Sequence, residues 1–453
     1  MLKIFRTNLF LYCMTFGIFI IAGCSGEYYV SPNGRASWAN ARNRFTPTNV
    51  ETAMLNAQPG DIILFLNGTY QAPAGGSYID AAIYPRNSGT SNGPIILRSL
   101  NLHGAILTKN PDGGGIIGTR KNTVRSNYIW VDGFDIRGCA VMTYTTGSKV
   151  INNKFTIGGN KGLGTTFGNM VFMEEGVGCY IGNNLFSDNI PQQNGVPPGS
   201  PAHLNDAPIM IYFDRATIIE KNTFINLAEG EYENKCGIYL KDAPGYGNSP
   251  TIIRYNFLYD AAMVGPFHNL RSLSDVGAYV YQNVLSGARA FHTYKGNYNY
   301  WQYYNNTHYN TEFGQLTFGN QFSGGAHVTE VFNNILHASP SGANYKSYDN
   351  ENFMEQVTIY NWNRYIGRKY WDIRTDDPIS LTDWQLVVGN PDLDGSDEDA
   401  FFVNPGGTSP YDYMIEDGPL TGGRGGSYSE VVGAFITGDE QIGHSWDNLV
   451  HRD

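Results

Sequence analysis

The sequence predicts an all-β solenoid in which short parallel strands stack as the coils of a parallel β-helix. A short β-branched and aromatic run, then Asn, then an apolar residue two places on, recurs between about residues 128 and 337. Its asparagines are separated by 31, 38, 34, 27, 23 and 28 residues, which is typical of solenoid repeats. The composition also fits, with 54 Gly, 31 Tyr and only 16% charged residues. The repeated asparagines are Asn153, Asn184, Asn222, Asn256, Asn283, Asn306 and Asn334.

Each repeated Asn is predicted to point inward at the same turn of its coil. Coils stack about 4.8 Å apart, so each amide can hydrogen-bond the amides above and below it. Buried amides are tolerated when they are satisfied in this way. The apolar residue two places later returns to the interior, which predicts a second ladder of Phe155, Phe186, Phe224, Leu258, Leu285 and Leu336.

The first residues read as a bacterial lipoprotein signal, predicted to span residues 1–23. Lys3 and Arg6 precede an apolar stretch at 9–21 that is too short to span a bilayer. The stretch Ile-Ala-Gly-Cys that ends at Cys24 resembles the lipobox, so Cys24 is the expected lipidation site. A lipidated Cys attaches a protein to a membrane without a transmembrane helix. We expect a place in the bacterial cell envelope, at the outer membrane, with the membrane face left open.

Residues 24–363 are predicted to form the β-helix domain. A short helix from Asn49 to Asn56, with Thr48 as its N-cap, is expected to plug the open end of the core, where an exposed edge would aggregate. A fully apolar strand at 62–66 follows it.

The remaining residues, 364–453, are turn-rich and irregular. Val357–Tyr360 is the last segment that reads as a coil strand. The sequence after it is therefore predicted to form a closing segment that packs on the β-helix and folds over its last coil.

Charge and cysteine content exclude several classes of protein. The formal charge is −11, and −13 once Lys3 and Arg6 are removed with the signal. Without a basic run, nucleic acid is excluded as a partner, and an anionic ligand would need a local positive patch. The cysteines left after lipidation, Cys139, Cys179 and Cys236, are an odd number, which argues against a disulfide framework. We expect a monomer.

The candidate catalytic and metal-binding residues lie in the strands that precede the repeated asparagines. Aligned on their apolar residues, these strands end in Glu174, Asp214, Lys241 and Arg271. Neighbours in this column are predicted to lie one coil apart on the outer face, where acids and bases shift each other's pKa. The alternative is a mixed-charge ladder on a solvated sheet.

The stretch from Asn222 to Ala243, NTFINLAEGEYENKCGIYLKDA, followed by FHNLRS, resembles the alginate lyase and chondroitinase B group of polysaccharide lyases. In that group an N-x-F step leads to a G-E-x-E run and then to a strand that ends in the catalytic Lys. The resemblance implies a right-handed parallel β-helix with Lys241 as the base. This chain departs from the pattern in the residues 234–236 and in the order of His268 and Arg271.

Such a lyase removes the C5 proton of a uronic acid and eliminates the 4-linked oxygen. The carbanion is accessible when the adjacent carboxylate is neutralised by Ca²⁺ or by an Arg, here Arg271. His268 and His292 are candidate acids, with packed, hydrogen-bonded histidines as the alternative. Oxygen ligands for Ca²⁺ are expected from Glu231, Glu233, Asp214 and Glu174.

Residues 295–310 are dense in aromatic side chains that suit a glycan groove. Because alternate residues of a strand face outward, some of Tyr298, Tyr300, Trp301 and Tyr303 are expected to be exposed. The predicted substrate-binding residues are Lys295, Tyr298, Trp301 and His292. Packing beneath long loops is the alternative role for these rings.

The predicted function is that of a lipid-anchored enzyme that cleaves an anionic, uronate-containing polysaccharide by β-elimination. One alternative is a glycoside hydrolase with a carboxylate pair such as Glu174 and Asp214. A separation of about 5 Å would then indicate retention of configuration, and about 6.5–9.5 Å inversion. Another is a non-catalytic glycan-binding surface protein, since the fold alone does not establish activity.

Overall fold

The structure is a computed structural model. The residues that it describes are 25–73, 80–108, 115–120, 126–156, 169–188, 207–227, 236–241, 249–259, 262–267, 276–286, 291–294, 300–311, 316–319, 328–338, 345–347, 357–366, 370–372, 377–380, 382–383, 394–396, 401–425 and 428–446. In several of the later strands it describes the backbone alone. The signal segment and Cys24 lie outside the described residues. Among the described helices, none has the length and apolar character needed to cross a bilayer.

Three long sheets confirm the parallel β-helix. Sheet one holds the strands Glu27–Val30, Ile62–Phe65, Ile95–Ser99, Ile129–Asp132, Lys149–Ile151, Tyr180–Gly182, Ile218–Glu220, Thr251–Arg254, Val276–Tyr281, Tyr300–Tyr304, Val328–Phe332 and Val357–Asn361. Sheet two holds Gly68–Gln71, Ala105–Thr108, Asp135–Arg137, Lys154–Thr156, Leu185–Ser187, Thr223–Ile225, Phe257–Tyr259, Val284–Ser286, Thr307–Thr311, Ile335–Ala338 and Arg364–Ile366.

Sheet three completes each coil before the chain re-enters sheet one. Its strands are Ala81–Ile83, Gly115–Gly118, Ala140–Thr143, Val171–Glu174, Ile209–Tyr212, Cys236–Lys241, Ala262–Phe267, Phe291–Tyr294, Leu316–Gly319, Tyr345–Ser347, Tyr370–Asp372 and Asp377–Ile379. The final pair is antiparallel, whereas the other strand pairings are parallel. The coils therefore continue beyond Tyr360, the last strand residue that the sequence indicated. The right-handed winding stays a prediction.

The asparagine ladder is confirmed, and it lies at the turn between sheets one and two. All seven predicted asparagines are fully buried, and Asn363 adds an eighth. Each side-chain amide nitrogen donates to the Oδ1 atom of the next asparagine over 2.9–3.2 Å. The same Oδ1 atom also accepts the backbone N–H of the preceding ladder residue, for example from Asn184 to Asn222. The ladder therefore satisfies side chains and turn backbone together.

The residue before each ladder asparagine adopts a left-handed backbone conformation. Their φ angles fall between 52° and 59°. Asn tolerates this region better than most L-residues, and it occupies half of these positions. The eight residues are Asn152, Asn183, Lys221, Tyr255, Gln282, Asn305, Asn333 and Trp362.

The apolar ladder is confirmed as well, since its six predicted members are fully buried. The rings of Phe155, Phe186 and Phe224 stack with centroids 4.9 Å apart, which is the coil spacing. His308 fills the place between Leu285 and Leu336 in this ladder. Its Nε2 atom lies 2.5 Å from the hydroxyl of Tyr303 inside the core.

Of the four rings of which some were expected to be exposed, Tyr303 is not an exposed one. Its side chain is fully buried, with Val280 and Val331 beside it in the neighbouring coils. The inward position follows from the two-residue alternation of a strand, which sends the flanking Gln302 and Tyr304 to the opposite face.

At the N-terminal end, the α-helix spans Val50–Asn56 and buries Ala53 and Met54. Its N-cap is Asn49, whose side chain accepts the backbone N–H of Thr52, and not Thr48 as predicted. The Thr48 hydroxyl instead donates to the carbonyl of Ala36. A short 3₁₀ helix, Trp38–Arg42, precedes the α-helix.

Residues 401–425 and 428–446, hereafter the C-terminal strap, lie along the turns between sheets one and two. The strap contains a second 3₁₀ helix, Pro410–Tyr413. It bonds successive turn residues, including Asn333, Asn305 and Asn183. It also buries apolar residues on the outer face of sheet two. The strap thus runs back across several coils toward the N-terminal end of the solenoid.

Candidate functional site

The outer face of sheet three carries two columns of side chains. Val171, Met173, Ile209, Ile211, Ile238 and Leu240 point into the core. The intervening residues therefore point outward, because side chains alternate along a strand. The first outward column contains Val141, Phe172, Met210 and Tyr239, which form a separate buried cluster.

The second outward column contains the candidate reacting groups. Strand register aligns Glu174 with Tyr212, and Tyr212 with Lys241. The backbone pairing continues from Lys241 to Phe267 and Tyr294, with a register shift in each of these two strand pairs. At about 4.8 Å per coil, Glu174 and Lys241 lie two steps, or about 10 Å, apart along the solenoid.

The structure corrects the predicted column at Asp214. Tyr212, not Asp214, lies between Glu174 and Lys241. Because Ile209 and Ile211 point into the core, the residue of this strand that pairs with Lys241 is Tyr212, two positions before Asp214. Asp214 follows the strand in a turn and is fully buried. It is therefore neither an outward calcium ligand nor an exposed catalytic partner of Glu174.

Asp214 is instead held in the core by two hydroxyl groups. Thr217 Oγ1 donates to Oδ1 over 2.5 Å, and Thr251 Oγ1 donates to Oδ2 over 2.9 Å. Burial raises the pKa of the Asp214 carboxyl to about 6, although these hydrogen bonds oppose the rise. The neighbouring Cys179 thiol, also buried, has its pKa raised by burial and by Asp214.

We expect Asp214 to make the stability of the protein pH-dependent. Because its folded pKa exceeds that of the unfolded chain, its stabilisation is full below about pH 4 and is lost as pH rises through about 6. The predicted loss is about 3 kcal/mol. Urea unfolding of wild type and Asp214→Asn from pH 4 to 7 measures it. Identical pH profiles for the two proteins would contradict the expectation.

The described side chains of the second column are half-buried. The hydroxyl of Tyr144 donates to Glu174 Oε1 over 3.5 Å. The ring of Tyr212 packs against Phe172, with centroids 5.6 Å apart. The outward column can therefore present a carboxylate and a phenol beside the strand that ends in Lys241.

Tyr212 is the candidate residue that sequence reasoning missed. The signal was present: aligning Ile209 and Ile211 with Ile238 and Leu240 places Tyr212 opposite Lys241. The charge of Asp214 two residues later was the misleading feature.

Other predicted residues lie elsewhere or outside the description. His292 lies in sheet three, with its backbone paired to Val264 and Thr317. Trp301 belongs to a strand of sheet one, so the fold does not place it on the sheet of Lys241. Outside the described residues lie Glu231, Glu233, His268, Arg271, Lys295 and Tyr298. Within the described part of the chain, no three His, Cys, Asp or Glu side chains group closely enough to hold a metal ion.

Comparison with known proteins adds structural neighbours. No family model matches the chain, and no curated protein matches its sequence. The chain is similar to the pectate lyase Pel9A at 16% identity and a TM-score of 0.38, over 72% of this chain and 78% of the other. It is similar to the PL6 family alginate lyase AlyGC at 14% identity and a TM-score of 0.45, over 94% of this chain and 60% of AlyGC.

A third neighbour is an alginate lyase from Paenibacillus sp. str. FPU-7, at 14% identity and a TM-score of 0.39, over 70% of this chain and 95% of the other. The chain spans 60% of the length of AlyGC, the second of these neighbours. All three are similar to this chain at low identity, and its parallel β-helix is defined by the strand pairing described above.

Proposed function

We propose that the protein is a polysaccharide lyase that cleaves an acidic, uronate-containing glycan by β-elimination. The observation that carries the proposal is the strand register of sheet three, which pairs Glu174 with Tyr212 and Tyr212 with Lys241. The resemblance of the stretch that ends in Lys241 to the alginate lyase and chondroitinase B group assigns that residue the role of base. The buried apolar residues of the first outward column lie beside this strand position.

In the proposed reaction, the neutral amine of Lys241 takes the proton from C5 of the uronate. The electron pair forms a C4=C5 double bond as the C4–O4 bond breaks. The leaving oxygen takes a proton from the Tyr212 hydroxyl. The Lys241 ammonium then gives its proton through water to the Tyr212 phenolate, which restores both groups. Strand register pairs Tyr212 with Lys241, and neighbouring coils are about 4.8 Å apart, so the two backbone positions lie within the length of one sugar ring.

The uronate carboxylate must be neutralised for this step, by Ca²⁺ or by Arg271. Bound Ca²⁺ would draw electron density from the carboxylate and thereby lower the pKa of the C5 proton. Asp214 does not fit this role, because its oxygens are buried and bonded to threonine hydroxyls. We therefore propose Glu174, Glu231 and Glu233 as the ligands, since Ca²⁺ prefers several oxygen donors.

The hydrolase alternative loses its carboxylate pair, because Asp214 is fully buried. Lyase and binder are separated by one assay. The protein is incubated with alginate, pectate, chondroitin and ulvan, with and without a chelator, while near-ultraviolet absorbance is followed. A lyase releases products that absorb through the new double bond. Reducing ends without absorbance would indicate hydrolysis, and retention on a polymer without cleavage would indicate a binding protein.

We also propose that Cys24 anchors the protein by a lipid in the cell envelope. The support is the sequence Ile-Ala-Gly-Cys after a short apolar stretch. Cys24→Ser should abolish incorporation of labelled fatty acid and leave a soluble or unprocessed protein. Cys139→Ser serves as the control, since that thiol lies in the β-helix. Undiminished labelling of Cys24→Ser would contradict the proposal.

A further inference from the structure

The first outward column of sheet three extends toward the N-terminal end and reaches Tyr84. Ile83 pairs with Ile117, and the next residues of the neighbouring strands, Gly118 and Val141, pair with each other. Tyr84 is therefore in line with this column. It is 5% exposed and belongs to the same buried cluster as Phe172 and Tyr239.

Two arginines are held on the ring of Tyr84. The guanidinium carbon of Arg86 lies 4.6 Å from the ring centroid, and that of Arg120 lies 5.3 Å from it. Both guanidinium groups also donate through Nη1 to the Tyr84 hydroxyl. Arg86 is exposed, and the Arg120 side chain is 32% exposed. We call this group the arginine pair.

The arginine pair carries more positive charge than its described surroundings compensate. Asp80 Oδ1 lies 3.8 Å from Arg120 Nε, and among the described residues this is the ion pair that involves the arginine pair. Within the described part of the chain, the buried Arg120 Nε has no hydrogen-bond partner. A patch of this kind stands out in a protein whose formal charge is −11. Like charges held close together favour binding of an anion between them.

Tyr84 contacts both guanidinium groups and thereby holds them in place before a ligand binds. A guanidinium presents five donors in a planar fork that matches a carboxylate. Each arginine uses one Nη1 donor on Tyr84, so the fork retains further donors for a ligand.

We propose that the arginine pair is a carboxylate subsite for a uronate of the polysaccharide, remote from the reacting sugar. This inference rests on the proposed function, which supplies an acidic glycan. Tyr84 and Tyr239 are five coil steps apart, or about 24 Å, along the outward column. A glycan lying along the solenoid axis spans that distance with several sugar units. Long chains reach both points, and short oligosaccharides bound at Lys241 do not.

The test is binding to the polymer, measured as retardation in gels that contain a polyuronate or the same polymer with its carboxyl groups reduced. The double variant Arg86→Gln, Arg120→Gln should bind the polyuronate at least about tenfold more weakly, as expected for lost charge-assisted hydrogen bonds. Arg86→Lys, Arg120→Lys should recover part of the affinity, because charge remains without the fork. Binding to the reduced polymer should be weak for all variants.

Arg137→Gln is the matched control. Arg137 is 44% exposed on sheet two and faces Asp135, so this change removes the same charge from another surface. It should leave retardation unchanged. Thermal unfolding of each variant checks that Tyr84 still packs, since a merely structural role would lower the midpoint without changing polymer binding.

If the double Gln variant is retarded by the polyuronate as strongly as the wild type, the subsite proposal is wrong. It is also wrong if the variant loses affinity for the reduced polymer and for the polyuronate to the same extent. The proposed function is judged separately, by the absorbance of unsaturated product. A lyase whose double variant keeps full affinity refutes only the subsite. An inactive protein whose polyuronate binding depends on the arginine pair refutes only the lyase reaction.

Discussion

Lys241→Ala is expected to remove nearly all turnover on the true polysaccharide. A general base contributes on the order of 10²–10⁴ in rate, and the alanine leaves no group at this register to take the C5 proton. Lys241→Arg should be almost as inactive, because a guanidinium stays protonated at any working pH. The measurement is the initial rate of near-ultraviolet absorbance at saturating substrate.

Lys154→Ala provides the control for that experiment. Lys154 occupies an outward position of sheet two, so its removal changes the same charge on a different face. Its rate should match that of the wild type. Full activity of Lys241→Arg would mean that the residue acts as a positive charge only. The proposal of Lys241 as a base would then be wrong.

Asn222→Leu is expected to cause the largest loss of stability. Asn222 is fully buried, and its Oδ1 accepts from both the backbone and the side chain of Asn184. Its Nδ2 donates to the Ile181 carbonyl and to Asn256 Oδ1. Leucine leaves these groups without partners, and each stranded group costs on the order of 1–3 kcal/mol. Urea unfolding should show a clearly lower midpoint.

Asn40→Leu is the control for the ladder. Asn40 is exposed in the first 3₁₀ helix, and its replacement should change the free energy of unfolding by less than about 0.5 kcal/mol. If Asn222→Leu unfolds at the wild-type midpoint, the ladder does not contribute to stability.

The ladders were predictable because each coil repeats the same short arrangement of residues. A left-handed residue, a buried asparagine and an inward apolar residue follow within four positions, so the pattern is visible without knowing the loops. His308 is a polar residue at a position of the apolar ladder. It breaks the apolar pattern in sequence, and the fold pairs it with the inward Tyr303.

Asp214 shows where sequence reasoning failed. Its charge suggested an outward ligand, but whether a residue after a strand faces core or solvent depends on the turn that follows. Here the turn folds the carboxylate back onto Thr217 and Thr251, which lie in its own coil and the next. Two hydroxyl donors make burial tolerable, and they are not visible as partners in the linear sequence.

The sequence by itself determined the solenoid and its asparagine and apolar ladders, and it predicts the segment around Lys241 as the place for chemistry. These follow from short-range periodicity, which one coil expresses completely. Only the tertiary structure decided which residues share an outward column and what lies at its far end. Tyr84 and Arg120 are 36 residues apart, and they meet because coils of unequal length still stack at one fixed spacing. Loop length hides that register in the sequence, whereas backbone hydrogen bonding between coils imposes it in the fold.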